Sequence, residues 1–252
     1  MKLMSARVWS AAVAAVILGS AAAGCSSGSS AATGSSMPVF SGLESKYLTV
    51  EDFPAIDSAG LYIAANDGLF AHEGLHVTVI PDYKSSQDTV NLIESGKAQI
   101  SSGDYVTYMG DFAGTDPNLE IISEGSVLEP NVLTLMASHN SKVTSLKQLQ
   151  GKAIPVSGID DIATLLIDSV LTGNDVPINS VHYVPNQALP GVPTMIAKGV
   201  FATGPVPEPF VSMGEQDQGD VELADMDQGA TTNFPIQGYA VTKQWARRTR
   251  TR

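Results

Sequence analysis

Apolar and polar residues alternate along this chain in short runs whose period switches between that of a strand and that of a helix. Lys46 to Val50 is a β-rich run, and Ser58 to Phe70 sets Leu61, Ala64, Ala65 and Leu69 at helical spacing. Gly74 punctuates the chain, and Leu75 to Ile80 alternates as a strand. Ser85 opens a second helix, Asp88 to Glu94, which Gly96 closes; Ala98 to Ser101 is strand-like, and Asp104 starts a helical stretch through Met109. This β-α-β-α succession with short loops predicts a mostly parallel sheet flanked by helices.

A second unit repeats the pattern. Leu146 to Leu149 reads as a helical turn, Lys152 to Val156 as a strand and Asp160 to Leu171 as an amphipathic helix. Val181 to Val184 is a strand, Thr194 to Lys198 a short helix, Gly199 to Ala202 a strand, and Val221 to Ala224 closes the unit. Between the two units Val132 to Ala137 is an apolar extended run suited to a crossing, and Ile236 to Val241 suits the return. Two α/β lobes joined by extended crossings form a cleft, and clefts between domains favour small ligands.

Outside this folded stretch the pattern changes. Lys2 and Arg7 precede an apolar run from Val8 to Ala23, and Ala22-Ala23-Gly24-Cys25 follows, the layout of a secretory signal with a small-residue cleavage site. Cys25 is the only cysteine, so no intramolecular disulfide forms. The segment resembles a bacterial lipobox, with Ala22 where a leucine is usual, and implies lipidation at Cys25. Ser26 to about Ser45, rich in Ser, Gly and Ala, reads as a flexible tether with a span of about 25 Å. From Lys46 to Lys243 there are 25 acidic residues against 8 lysines and no arginine. That balance argues against nucleic acid or an anionic membrane surface as a partner. Four of the five arginines fall instead in the tail, at Arg247, Arg248, Arg250 and Arg252, an abrupt shift that suggests a frameshifted or artificial end.

Four segments in order carry a family resemblance. They are Ala59-Gly60-Leu61-Tyr62-Ile63-Ala64 with Asp67-Gly68-Leu69-Phe70 and Glu73-Gly74-Leu75; Leu92 to Ile100, with Gln99 in place of the usual acid; Leu146 to Val156; and Pro207-Glu208-Pro209-Phe210. Together they resemble the type 2 periplasmic-binding-protein fold, in its nitrate/sulfonate/taurine-binding and thiamine-pyrimidine-precursor-binding group. The resemblance implies a two-lobed α/β architecture. Residues 1–24 are then the signal peptide, 25–45 the lipidated tether, 46–135 with 236–244 the first lobe and 136–235 the second. Because such proteins continue past the second crossing, the C-terminal part of the first lobe is expected to be missing. The implied role is the extracytoplasmic solute-binding component of an ABC importer. It is expected to be a monomer held on the cell membrane only by its lipid, and to deliver a small organic solute to a permease and its ATPase. No enzyme activity and no cofactor are expected.

In such a receptor the ligand contacts lie on loops at the carboxyl ends of strands. These supply Asp57 and Ser58; Asp82 and Tyr83; Ser102, Gly103, Asp104 and Tyr105; Ser157, Gly158, Asp160 and Asp161; and the turn from Pro205 to Glu208. Asp57, Asp104 and Asp160 are equally good helix N-caps. An alternative chemistry is a secreted zinc-dependent hydrolase, since His72-Glu73-Gly74-Leu75-His76 matches H-E-x-x-H. Gly74 argues against it by ending the helix that the metal site needs. The loops carry carboxylates and, apart from Lys84, no cation, so the expected solute is neutral or cationic and nitrogen-containing, stacked on Tyr83 or Tyr105.

Overall fold

The computed structural model describes residues 44–52, 54–81, 86–114, 117–185 and 191–249. The signal segment, Cys25 and Tyr83 lie outside the described residues. The chain opens with β1 (Tyr47–Asp52), then α1 (Ala59–Asn66), α2 (Leu69–His72), β2 (His76–Pro81), α3 (Ser86–Glu94), β3 (Ile100–Asp104), α4 (Tyr105–Phe112) and β4 (Leu119–Val127). These build one sheet with a late strand, β10 (Pro235–Thr242), in the order β2-β1-β3-β10-β4. β1 is exposed at Tyr47 and buried from Val50 to Asp52, where it is flanked by β2 and β3.

The second half runs through β5 (Leu133–Ala137), β6 (Ala153–Pro155), α5 (Ile162–Gly173), β7 (His182–Val184), α6 (Val192–Ala197), β8 (Thr203–Pro207), α7 (Phe210–Met213) and β9 (Val221–Asp225). Its strands form a three-stranded sheet, β8-β5-β9, and a separate pair, β6-β7. After β10 the short α8 (Lys243–Thr249) follows. No helix among the described residues is long and apolar enough to cross a membrane.

The expected mostly parallel sheet is corrected. β2, β1 and β3 are parallel, but β10 lies antiparallel between β3 and β4, and β5 is antiparallel to both β8 and β9. The reason is the path of the chain. β4 leads into the second half, and β10 returns from it and must run the other way. Val132 to Ala137 is likewise less a crossing than the fully buried middle strand β5. The crossings are the short segments 128–132 and 226–234, joined where Leu128 N–H donates to Phe234 O at 2.7 Å.

Two strands escaped the sequence pattern. β4 is an edge strand exposed from Ile122 to Gly125, so half of it lacks an apolar signature. β8 holds Pro205 and Pro207, which read as breakers, and the strand expected at Gly199 to Ala202 lies at Thr203–Pro207 instead. β8 is an edge strand, and Glu208 N–H donates to Val132 O on its β5 side. Residues 205 and 207 therefore face away from β5, where a missing N–H leaves the ladder intact.

The larger core surrounds α5, whose Ala163, Leu166, Ile167, Val170 and Leu171 form one buried face against Leu135, Ile154, Val156 and Met226. In the first half Val90, Ile93, Ala98, Leu119 and Ala240 pack round Tyr108, which is fully buried. The Tyr108 hydroxyl donates to Ser101 O at 3.0 Å and stands 3.0 Å from Ser101 Oγ, which itself donates to Thr89 at 2.9 Å. Burial raises the Tyr108 pKa, so the hydroxyl stays a donor. Gly103 is needed beside it, because an added Cβ would stand 2.9 Å from the Tyr108 oxygen.

Candidate functional site

A cavity of about 420 Å³ opens between the ends of the two halves. From the first half it is lined by Pro54, Ala55, Ile56, Asp57, Gly103, Asp104, Ile236 and Gln237. Val132, Leu133, Ser157, Ile162 and the run Pro207-Glu208-Pro209-Phe210 line the other side. β1 and β3 end here, β8 ends here, and β10 starts here, so strand polarity brings these loops together.

Asp57 sits on a 3-10 turn, Ile56–Ser58, between β1 and α1. Its pKa is raised to about 6, first by burial and then by the charge of Asp52, against smaller opposing effects of the Asp57 and Ser58 backbone N–H groups. Asp57 Oδ1 is buried and has no hydrogen-bond partner among the described residues. Behind it, Ser58 Oγ donates to Asp52 Oδ1 at 2.7 Å, and Gln237 Nε2 donates to both Ser58 Oγ (3.0 Å) and Ser102 Oγ (2.8 Å). Tyr239 is raised as well, by burial and by Asp52 and then Asp57, with a Ser102 hydrogen bond opposing.

The other carboxylates are engaged with the helices that start at the cavity. Asp104 caps α4, accepting Thr107 N–H and Thr107 Oγ1–H at 2.8 Å each. Glu208 accepts Ser212 N–H at 3.2 Å and Ser212 Oγ–H at 2.8 Å. Asp161 caps α5 through a capping box with Thr164 and also accepts Ser157 Oγ–H and, at 2.7 Å, Gly158 N–H. A helix N-terminus is a ready oxyanion site only while its amides are free. Here a carboxylate of the chain takes one amide at each start, that of Thr107, Thr164 or Ser212, and no Lys, Arg or His lines the cavity among the described residues.

Of the residues singled out from the sequence, Asp57, Gly103, Asp104, Ser157, Pro207 and Glu208 line the cavity. Ser58 and Ser102 are buried just behind, as partners of Gln237. Gly158 serves Asp161, and the Tyr105 ring packs on Gly238, whose added Cβ would meet it at 2.9 Å. Asp160 is exposed, and the N-cap expected there is Asp161, one residue on. Asp57 is no side-chain cap either, since the N-cap of α1 is Ser58. Sequence reasoning missed the apolar wall, Phe210 and Ile162 above all, and Gln237. The signal for Gln237 was a lone amide inside the apolar run from Ile236 to Val241.

The H-E-x-x-H pattern does not form one helical face. α2 ends at His72, Gly74 takes φ +78°, and His76 opens β2, where its ring stacks on Tyr47 at 4.8 Å. Among the described residues no group of three or more His, Cys, Asp or Glu is arranged to hold a metal ion.

None of the curated proteins compared with the chain matches it. Solved structures do. The alkanesulfonate-binding protein SsuA from Xanthomonas axonopodis pv. citri, bound to MOPS, superposes with a TM-score of 0.68 at 17% identity, covering 82% of this chain and 68% of that one. A Candida albicans gene product, CA3427, described as having the generic periplasmic-binding-protein fold, gives 0.66 at 17%, covering 80% and 65%. The periplasmic nitrate-binding protein NrtA from Synechocystis PCC 6803 gives 0.65 at 16%, covering 81% and 57%. At such identities the likeness establishes the fold, that of the periplasmic binding proteins, and the chain spans 57% to 68% of these three proteins' own lengths. The model of the NMT1/THI5-like family matches residues 55–251. The chain therefore belongs to the NMT1/THI5-like family.

Proposed function

We propose that this protein is the extracytoplasmic solute-binding component of an ABC importer, anchored through a lipid on Cys25. Two lobes, the halves separated by the crossings 128–132 and 226–234, close on one small organic solute and present it to a permease. The observation that carries the reading is the cavity itself, set at strand ends between the halves and walled by apolar side chains with a few convergent polar groups. Similarity to sulfonate- and nitrate-binding proteins supports import as the role. It does not carry over their ligands, because no Lys, Arg or His lines the cavity among the described residues and Asp104, Asp161 and Glu208 place a carboxylate at each helix start.

The solute we propose is neutral or cationic and nitrogen-containing. Calorimetry on the protein is expected to find an aminopyrimidine or a small amine bound, with taurine, alkanesulfonates and nitrate inert. Tight sulfonate binding that survives Asp104→Ala and Glu208→Ala would sink this choice of solute.

A further inference from the structure

The cavity wall has acceptors left over and side-chain donors used up. Both oxygens of Asp104 and both of Glu208 already accept hydrogen bonds from Thr107 and Ser212. Ser157 donates to Asp161, and the Gln237 amide gives its N–H groups to Ser58 and Ser102. What remains among the side chains of the described lining residues is the Asp57 carboxyl, whose Oδ1 is buried and unpaired. Unpaired buried acceptors carry a desolvation penalty that a donor-bearing ligand removes.

We infer that Asp57 is the charge-selecting residue of this cavity, and that the solute it takes is a small organic cation with N–H donors, held on the Asp57 carboxylate. The inference rests on the cavity being a solute site. A cation satisfies the open acceptor and offsets the repulsion between Asp57 and Asp52, whereas an anion adds to it. The groups around Asp57 are themselves acids or phenols. β1 brings Glu51 and Asp52, β3 Asp104, and the second half Glu208. β10 brings Tyr239, α1 carries Tyr62, and β4, packed on the 3-10 turn, carries Glu120 and Glu124. Proton and cation therefore compete for one carboxylate, whose pKa of about 6 sets where the competition falls.

The test is calorimetry with one ring in three charge states: benzamidinium, benzamide and benzoate. At about pH 7.5 benzamidinium is expected to bind at least about tenfold tighter than benzamide, with benzoate inert. Lowering the pH to about 5 should weaken benzamidinium by about tenfold and leave benzamide unchanged. Asp57→Asn should erase both the preference and the pH dependence while benzamide still binds, which also shows that the variant is folded. Asp52→Asn should keep the preference and move the pH midpoint downward. Equal or tighter binding of benzamide or benzoate, or a preference that survives Asp57→Asn, overturns the assignment and leaves the solute site standing. Binding of none of the three overturns both.

Discussion

Asp57 shows how one residue is held at the expense of stability. A carboxyl whose folded pKa lies above its unfolded value favours folding while both states are protonated, and that advantage is lost as pH rises through the folded value. For Asp57 the window runs from the ordinary carboxyl value of 3.8 to about 6. Asp57→Asn is therefore expected to stabilise the empty protein by about 2 kcal/mol near pH 8. Urea unfolding should show the gap closing toward about pH 4. A gap that stays constant with pH would mean that Asp57 is not strained by charge. At Gly103 the opposite holds, because the space is already filled. Gly103→Ala, which brings a methyl within 2.9 Å of the Tyr108 oxygen, is expected to cost about 1–3 kcal/mol. A wild-type unfolding midpoint would show that Tyr108 moves aside freely.

Among the elements, α5 couples the second core to the cavity. Its capping box and the Ser157 and Gly158 bonds meet on the one side chain of Asp161. Asp161→Ala is expected to lower stability by about 2 kcal/mol, more than a surface cap, because a buried cap leaves its donors unsatisfied. Leu166→Ala, at a fully buried position on the same helix, should lower it by about 2–5 kcal/mol through the cavity it leaves. The two variants differ in a second readout. Asp161→Ala also releases Ser157, which lines the cavity, and is expected to change solute affinity, whereas Leu166→Ala is not. Denaturant unfolding and calorimetry on each check both parts.

At the scale of the whole molecule, the segments 128–132 and 226–234 join the halves, and they are stitched by Leu128 N–H to Phe234 O (2.7 Å), Met226 N–H to Leu133 O (3.1 Å) and Asn131 N–H to Asp225 Oδ2 (2.9 Å). If the halves close on a solute, these crossings absorb the change in backbone angles. A fluorophore pair placed on Asp67 and Asp175, both on the surface at helix ends, is expected to change transfer efficiency on solute binding. Unchanged transfer at saturating solute would leave binding without closure. Intact mass of protein from a lipoprotein-processing host should show an acylated Cys25, and an unmodified thiol there would remove the proposed anchor.

The sequence by itself determined the local elements wherever the period was strong. The buried stripe of α5, the caps at Asp104 and the turn at Gly74 follow from side-chain spacing and backbone sterics, which act over a few residues. It also marked six of the cavity residues, since loops at strand ends carry their polar groups in plain view. Tertiary structure alone decided the rest. That β10 runs antiparallel between β3 and β4 depends on where the chain re-enters, which no local pattern encodes. Phe210 read as part of a turn, Ile162 as a helix position and Gln237 as a crossing residue until the fold turned them to one cavity. Whether a carboxylate is a helix cap or an open acceptor is equally a matter of neighbours. Asp104 and Glu208 find N–H partners within four residues along the chain. Asp57 has only its own and the Ser58 N–H nearby, and burial together with the charge of Asp52 outweighs them, which is what sets it apart.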